Sequence, residues 1–360
     1  MILYKSLVRG SDAFRSHAEG SVDLIVVDEA HFVKRNSTHR SRAIASLMSR
    51  CRIGLTATPL SNNVDELYCL LSLFVPGVLG GPGDFKTLYA EPISAGGPYA
   101  ALVMQELHEV LERVFLARKL EDLKLPPKTE SVVSIHLSQL ERDVYAAICA
   151  ETTPGGKPVA VLAKLTKLEK ACMHAPSLLR GDNVYGEVVR SKWPSLPERP
   201  ETLLELASKT RVAKLLIEII LERGGKVVVI SDLVKKRDGP VALLVRHFRN
   251  YLKSEKSVVV LKGDVPSNNR QLSLAAFNCG ETGGPRICVL SGKMAIGLNL
   301  VGADHLVLLS PSWNPVDENQ KLGRIHRMGQ QAHTFHYRLV THGTIEESKI
   351  NRQESKDRLK

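Results

Sequence analysis

The stretch KVVVISDLVKKRDGPVALLVRHFRNYLKSEKSVVVL (226–261) decides the fold class. It opens on a short apolar, β-branched run (226–231) and passes a polar turn punctuated by Gly-Pro. Apolar residues at helical spacing follow (240–253), then a second apolar run (257–261). Apolar strands alternating with helices make a parallel sheet covered on both faces. The alternation extends in both directions. A helix over 209–223 precedes it. A helix over 268–278, strands over 286–290 and 304–309, a helix over 317–328 and a strand over 334–340 follow.

The first 75 residues alternate in the same way. VDLIVVDEA (22–30) reads as a buried parallel strand ending in acids, 38–49 as a helix and RIGLTAT (52–58) as a second strand. A helix over 65–74 is closed by Pro76-Gly77. Residues 76–100, rich in Gly and Pro, predict a long loop, and 103–120 a helix. VVSIHL (132–137) is a short strand, and 138–175 is helical apart from TTPGGKP (152–158). The polar, proline-spaced residues 176–207 predict a linker or insertion. Ile345–Lys360 reads as a charged helix docked along the C-terminal lobe or solvated; the last 40 residues hold nine Lys/Arg against four Asp/Glu.

Composition narrows the function classes. The 360 residues carry 49 Lys+Arg against 38 Asp+Glu, a formal charge of +11, which weakly favours a polyanionic partner. No apolar run approaches the roughly 18 residues of a membrane helix, and the N-terminal sequence has no signal-like apolar segment. The six Cys (51, 69, 149, 172, 279 and 288) include no CxxC pair, which argues for a reducing compartment and against a zinc ribbon. Cys172 and His174 read as core residues rather than zinc ligands.

Three stretches carry chemistry. Asp28-Glu29-Ala30-His31 sits at the C-terminal end of an apolar strand, the edge where open parallel sheets bind ligands. An Asp there can hold Mg²⁺ and a neighbouring Glu can polarise a water; the bland reading is an acidic strand end before a turn. Thr56 and Thr58, in LTATPL (55–60), stand at a second strand end, where hydroxyls can hydrogen-bond the carboxylates. Arg324 and Arg327, in QKLGRIHRMGQ (320–330), are three apart and so are expected on one helix face, a pairing that suits a triphosphate. Taken alone, an Arg pair is most often a solvated basic face.

Together these stretches resemble motifs of the Swi/Snf-type ATPases, duplex-DNA translocases of helicase superfamily two. DEAH, LTATPLSNN and SWNPVDENQKLGRIHRMGQ resemble motifs II, III and V–VI. LPPKTE (125–130), LEKACMHAP (168–176), ASK (207–209) and LVTHGTIEESKINRQ (339–353) are similar to lesser segments of the family, in its order. FRSHAEGSVDLIVVDEAH, LFVPGVLGGPGDF and YRLVTHGTIEESKINRQ look most like its recombination-repair branch, the Rad-fifty-four type.

The resemblance implies an α/β fold of two RecA-like lobes: a partial first lobe (1–120), a helical insertion and linker (121–207), a second lobe (208–343) and a brace helix (344–360). It implies ATP and Mg²⁺ as cofactors and double-stranded DNA as partner, with nucleosomes or a recombinase beyond it. No membrane partner is implied, and the location is the nucleus. Asp28 would position Mg²⁺ and Glu29 would orient water. His31, Thr56 and Thr58 would couple nucleotide state to DNA. Arg324 and Arg327 would stabilise the γ-phosphate from lobe two. Gly297 and Asn299 would shape the motif V loop beside both nucleotide and DNA, with Gln330 near the lobe interface, the three counted with the nucleotide site. Ser61, Asn62, Lys262 and Ser291 would touch the DNA backbone, with loop punctuation an equal reading of each.

Two departures matter. GxxxxGK[ST] is absent, so the phosphate-cradling loop is expected upstream of a truncated chain. Met294-Ala295 stands where the family's motif V has Gly-Gly. The competing readings are a catalytically inactive DNA-binding or interaction remnant and, last, a DEAH-box RNA helicase. The SWNP segment and Gln330 at the end of motif VI disfavour the latter.

Overall fold

The computed structural model describes residues 22–33, 38–56, 64–117, 120–152, 158–178, 191, 200–232, 239–262, 265–279, 283–292, 294 and 297–357. Thr58, Ser61 and Asn62 lie outside these residues. The chain divides into two compact units, Met1–Arg118 and Lys119–Lys360. Each contains a parallel sheet, so the α/β expectation holds.

In the first unit, β1 (Val22–Val27) and β2 (Ser49–Gly54) run parallel, in register from Val22↔Ser49 to Val27↔Gly54. Between them lies α1 (His39–Ala45), whose first turn is capped by the Thr38 hydroxyl accepting from the Ser41 N–H at 3.2 Å. The apolar stripe predicted over 65–74 forms α2 (Val64–Phe74), which buries Leu67, Leu70, Leu71 and Leu73.

The loop expected over 76–100 is largely helical instead. Pro82 and Pro92 stand in the first turns of short helices, Pro82–Phe85 and Glu91–Ala95, joined by one wide turn over Lys86–Ala90. Proline is suited to a helix start, because the first turn's N–H groups have no partner within the helix. The break comes only at Gly96 and Gly97, both with positive φ (75° and 84°), before α3 (Gly97–Val114). Phe85 anchors the segment: it is 2% exposed and stacks on Tyr68 and Tyr89. The Gly and Pro residues here set helix boundaries rather than an open loop.

In the second unit the six strands are ordered β3-β8-β7-β4-β6-β5, and every neighbouring pair is parallel. They are β3 (Lys128–Ile135), β4 (Val227–Ser231), β5 (Val258–Leu261), β6 (Ile287–Ser291), β7 (His305–Leu308) and β8 (Thr334–Thr341). Central β4 is buried throughout and alternates between two cores. Val227 and Val229 face one core with Ile217, Leu244 and Phe248, while Val228 and Ile230 face the other with Phe277, Leu300 and Ile325. Each such side chain contributes about 1.5–3 kcal/mol on burial.

Two further helices, α4 (Gln139–Ala150) and α5 (Pro158–His174), pack together through Val144, Ile148 and Leu168. Cys172 and His174 are buried there, and burial pushes the Cys172 thiol up to about 12. The short α6 (Pro200–Leu206) leads into α7 (Ser208–Glu222). The remaining helices are α8 (Pro240–Tyr251), α9 (Ser267–Cys279), α10 (Pro315–Leu322) and α11 (Ile345–Asp357).

The helix expected over 317–328 ends early, at Leu322, with Gly323 as its cap. Arg324 and Arg327 therefore lie on a turn, not on a shared helix face. α11 docks on its own unit with a polar stripe. Glu346, Lys349 and Gln353 are 0%, 3% and 5% exposed, a helical spacing that brings them to one face. A solvated helix does not describe it. No helix among the described residues is long and apolar enough to cross a membrane.

Candidate functional site

In the first unit, the backbone brings motif II against the start of motif III. The Leu55 N–H donates to the Val27 carbonyl, and the Ala30 N–H donates to the Leu55 carbonyl, both at 2.8 Å. These bonds lock the turn after β1 to the end of β2, so Asp28, Glu29 and His31 share one sheet edge with Thr56. Asp28 is exposed, and its Oδ1 accepts the Glu29 N–H at 2.9 Å.

Glu29 adopts the left-handed conformation (φ 51°), uncommon for a non-glycine residue and costly by about 1–3 kcal/mol. Such strain concentrates at ligand sites. The Glu29 carboxylate lies 3.1 Å from His31 Nδ1, a close electrostatic contact without hydrogen-bond geometry. A carboxylate at the C-terminal end of a parallel strand suits a hard, oxygen-seeking cation.

In the second unit, motifs V and VI converge through the backbone. The Leu300 N–H donates to the Arg324 carbonyl at 3.1 Å. The guanidiniums of Arg324 and Arg327 donate to one acceptor, the Leu298 carbonyl, at 3.5 and 3.3 Å. The two arginines thus meet as expected, but through a turn and a shared acceptor. Gly297 needs its glycine (φ 84°), while Asn299 is exposed and its carbonyl accepts from the Asn278 amide at 2.9 Å.

Gln330 is spent on structure. Its Nε2 donates to the Val301, Ala303 and Ile325 carbonyls, and its Oε1 accepts the Gln331 and Ala332 N–H groups. Ser291 and Lys262 stand at the C-terminal ends of β6 and β5, both half-buried.

Sequence reasoning missed the polar seam behind this edge. Lys321 is 7% exposed and donates to the Ser312 hydroxyl at 2.9 Å and to Asp232 at 3.4 Å. A Cβ on Gly292 would stand 2.0 Å from the Asp232 carboxylate, so the ion pair sits close against the strand end and would have to shift for any larger residue. Glu318 accepts the Ser312 N–H at 2.6 Å and the Gln353 amide at 3.1 Å.

Lys349 donates to the Pro311 carbonyl and pairs with Glu169 at 2.7 Å. Glu169 also accepts the Trp313 indole N–H, and Lys349 lies 4.8 Å from the centre of the Trp313 ring. Trp313 therefore packs the segment between motifs V and VI. Deeper, Lys209 and Glu346 form a fully buried ion pair, and Glu346 also accepts the Thr341 N–H at 2.9 Å. The spacing that places 346, 349 and 353 on one helix face was readable, but the burial of that face was not, because its residues are polar.

His336, on β8, is 1% exposed, and neither ring nitrogen makes a hydrogen bond among the described residues. Burial pushes its pKa down to about 4, against the pull of nearby Glu130. Burial pushes Glu130 up, but Lys128 and Arg338 outweigh it and hold the carboxylate below its usual range.

These features define a helicase-type α/β protein: parallel sheets, an acidic strand tip in one unit, and paired arginines beside a glycine loop in the other. Comparison with known proteins agrees. Residues 2–178 match the SNF2-related domain and 211–329 the helicase conserved C-terminal domain. The chain belongs to the SNF2-related, helicase-like family.

It is 30% identical to the DNA repair and recombination protein RAD54 of Oryza sativa subsp. japonica, over 98% of this chain and 39% of the relative. It is likewise 30% identical to a RAD54-like DNA repair and recombination protein of Homo sapiens, over 98% and 50%. The chain thus spans about two-fifths to one-half of these relatives. A solved SWI2/SNF2 ATPase core from Sulfolobus solfataricus, in complex with double-stranded DNA, is 25% identical, over 98% of this chain and 69% of that one, with a TM-score of 0.46.

Proposed function

We propose that the chain is the motor portion of an ATP-dependent double-stranded DNA translocase of the repair and remodelling type, acting in the nucleus. The observation that carries this reading is the tip of β1: an exposed Asp28 and a strained Glu29, fastened by backbone hydrogen bonds to the Thr56 strand end. Relatives named for DNA repair and recombination support it. In this reading the parts are 1–120, 121–207, 208–343 and 344–360, with β3 of the second part joining the sheet of the third.

ATP supplies the phosphoanhydride bond, and Mg²⁺ offsets the charge of its phosphates. Asp28 is the residue that would hold the metal, and the adjacent Glu29 carboxylate orients the attacking water. His31 restrains Glu29 through their 3.1 Å contact. Arg324 and Arg327 offer permanently charged donors to phosphate oxygens, and their hold on the Leu298 carbonyl links that task to the Gly297–Asn299 loop. Gln330 keeps that loop and the arginine turn in fixed relation. Thr56 and Thr58 relay nucleotide state, while Ser61, Asn62, Lys262 and Ser291 meet the DNA backbone. Contacts of that kind are independent of sequence and sensitive to salt.

The test is phosphate release by the full-length protein with and without duplex DNA. Duplex DNA should stimulate turnover, and Asp28→Asn should raise the Mg²⁺ concentration needed for half-maximal rate. Stimulation by RNA alone would transfer the chain to the RNA helicases. Absence of nucleotide binding would leave the inactive remnant.

A further inference from the structure

A cavity of about 720 Å³ lies beside α8 and β5 of the second unit. Its floor is apolar: Val241 and Val245 of α8, Val260 of β5 and Val265 beyond it. Its rim is cationic. Arg246 is exposed and has no partner among the described residues. Arg249 pairs with Glu255 at 3.0 Å, yet its Nε is buried and makes no hydrogen bond among the described residues. β5 is the last strand of the sheet and, among the described residues, pairs only with β6.

We infer that this cavity docks an extended acidic peptide segment of a protein partner, added beside β5. The chemistry decides among polyanions. A phosphate ion or a DNA backbone would satisfy the cations but has nothing to place on four valines. An extended peptide alternates its side chains, so one set can enter the apolar floor while the next meets the rim. The exposed Arg246 at the rim selects acidic residues for that second set and steers encounter. The outer edge of β5 supplies main-chain hydrogen bonds, which give affinity without demanding one sequence.

The probe is a short fluorescent peptide, blocked at both ends and alternating glutamate with valine, titrated into the full chain by anisotropy without ATP or DNA. Saturable binding is expected. Arg246→Glu should weaken it at least about tenfold, and Val265→Glu should do the same by placing a carboxylate on the floor. Val258–Leu261 amides should gain hydrogen-exchange protection on binding.

A matching lysine–valine peptide that binds equally well would overturn the proposal. So would binding unaffected by Arg246→Glu in a variant that melts like the parent, or no binding at all. Arg246→Glu should leave DNA-stimulated ATP turnover unchanged, so loss of peptide docking and loss of the motor reading are told apart.

Discussion

At the tip of β1, Asp28 is exposed and the Glu29 side chain keeps 30% of its accessibility. In the seam beneath α11, Lys209 and Glu346 keep 1% and 0%. Both places gather charge at motif residues, and the difference is what each charge is left to do. The sealed pair has spent its desolvation cost on one internal contact, and Glu346 holds the end of β8 besides. The open carboxylates lie on their own turn, and Glu29 sits in the left-handed conformation. Sealed charges position elements; open charges await a ligand.

That contrast can be broken in order of expected effect. Glu29→Gln should lower DNA-stimulated ATP turnover by about 10²–10⁴-fold while leaving thermal unfolding within about 0.5 kcal/mol of the parent. A variant that melts early but turns over normally would reverse the assignment.

Lys209→Met should do the opposite. It strands the Glu346 carboxylate in the interior and should destabilise the second unit by about 3–5 kcal/mol, read by urea denaturation. Adding Glu346→Gln should recover most of that loss; equal instability of the single and double variants would show that the pair is not the cause.

The smallest effect is a pH dependence at His336. Facing it are Glu130, Lys128, His326 and Arg338, and its folded pKa is about 4. The unfolded chain binds a proton there below about 6.5, the folded chain only below about 4. Lowering pH from 7 to 5 therefore favours unfolding, by about 2 kcal/mol. His336→Leu should flatten that part of the stability–pH curve; an unchanged slope would mean that the proton goes elsewhere.

How far the sequence revealed this molecule follows from which interactions are local. The strands β4 to β7 of the second unit were legible because each is a short, largely apolar run between helices. The tip at Asp28–Glu29 was legible because acids directly after such a run have one natural place, the strand's C-terminal edge. The helices over 82–95 were hidden, because Pro and Gly mark helix starts as well as loops and composition alone does not choose. The early end of α10 at Leu322 was hidden for a related reason: Gly323 interrupts a pattern that otherwise keeps helical spacing. The seam around Lys321, Ser312 and Asp232 was illegible because its partners are up to 89 positions apart and each, alone, looks like surface. On α11 the buried stripe is polar, so a search for apolar periodicity passes over it.

The pairing of β3 with β8 joins residues about two hundred positions apart along eight consecutive rungs, from Lys128↔Thr334 to Ile135↔Thr341. During synthesis, β3 emerges long before its partner and must wait while α4, α5 and the intervening strands appear. Long-range parallel pairing of this kind slows folding and leaves an apolar edge exposed meanwhile. The sheet is completed only when Thr341 clears the ribosome, and α11, next in line, seals it with Glu346. Nascent chains stalled shortly before that point should be the ones that most need chaperone protection.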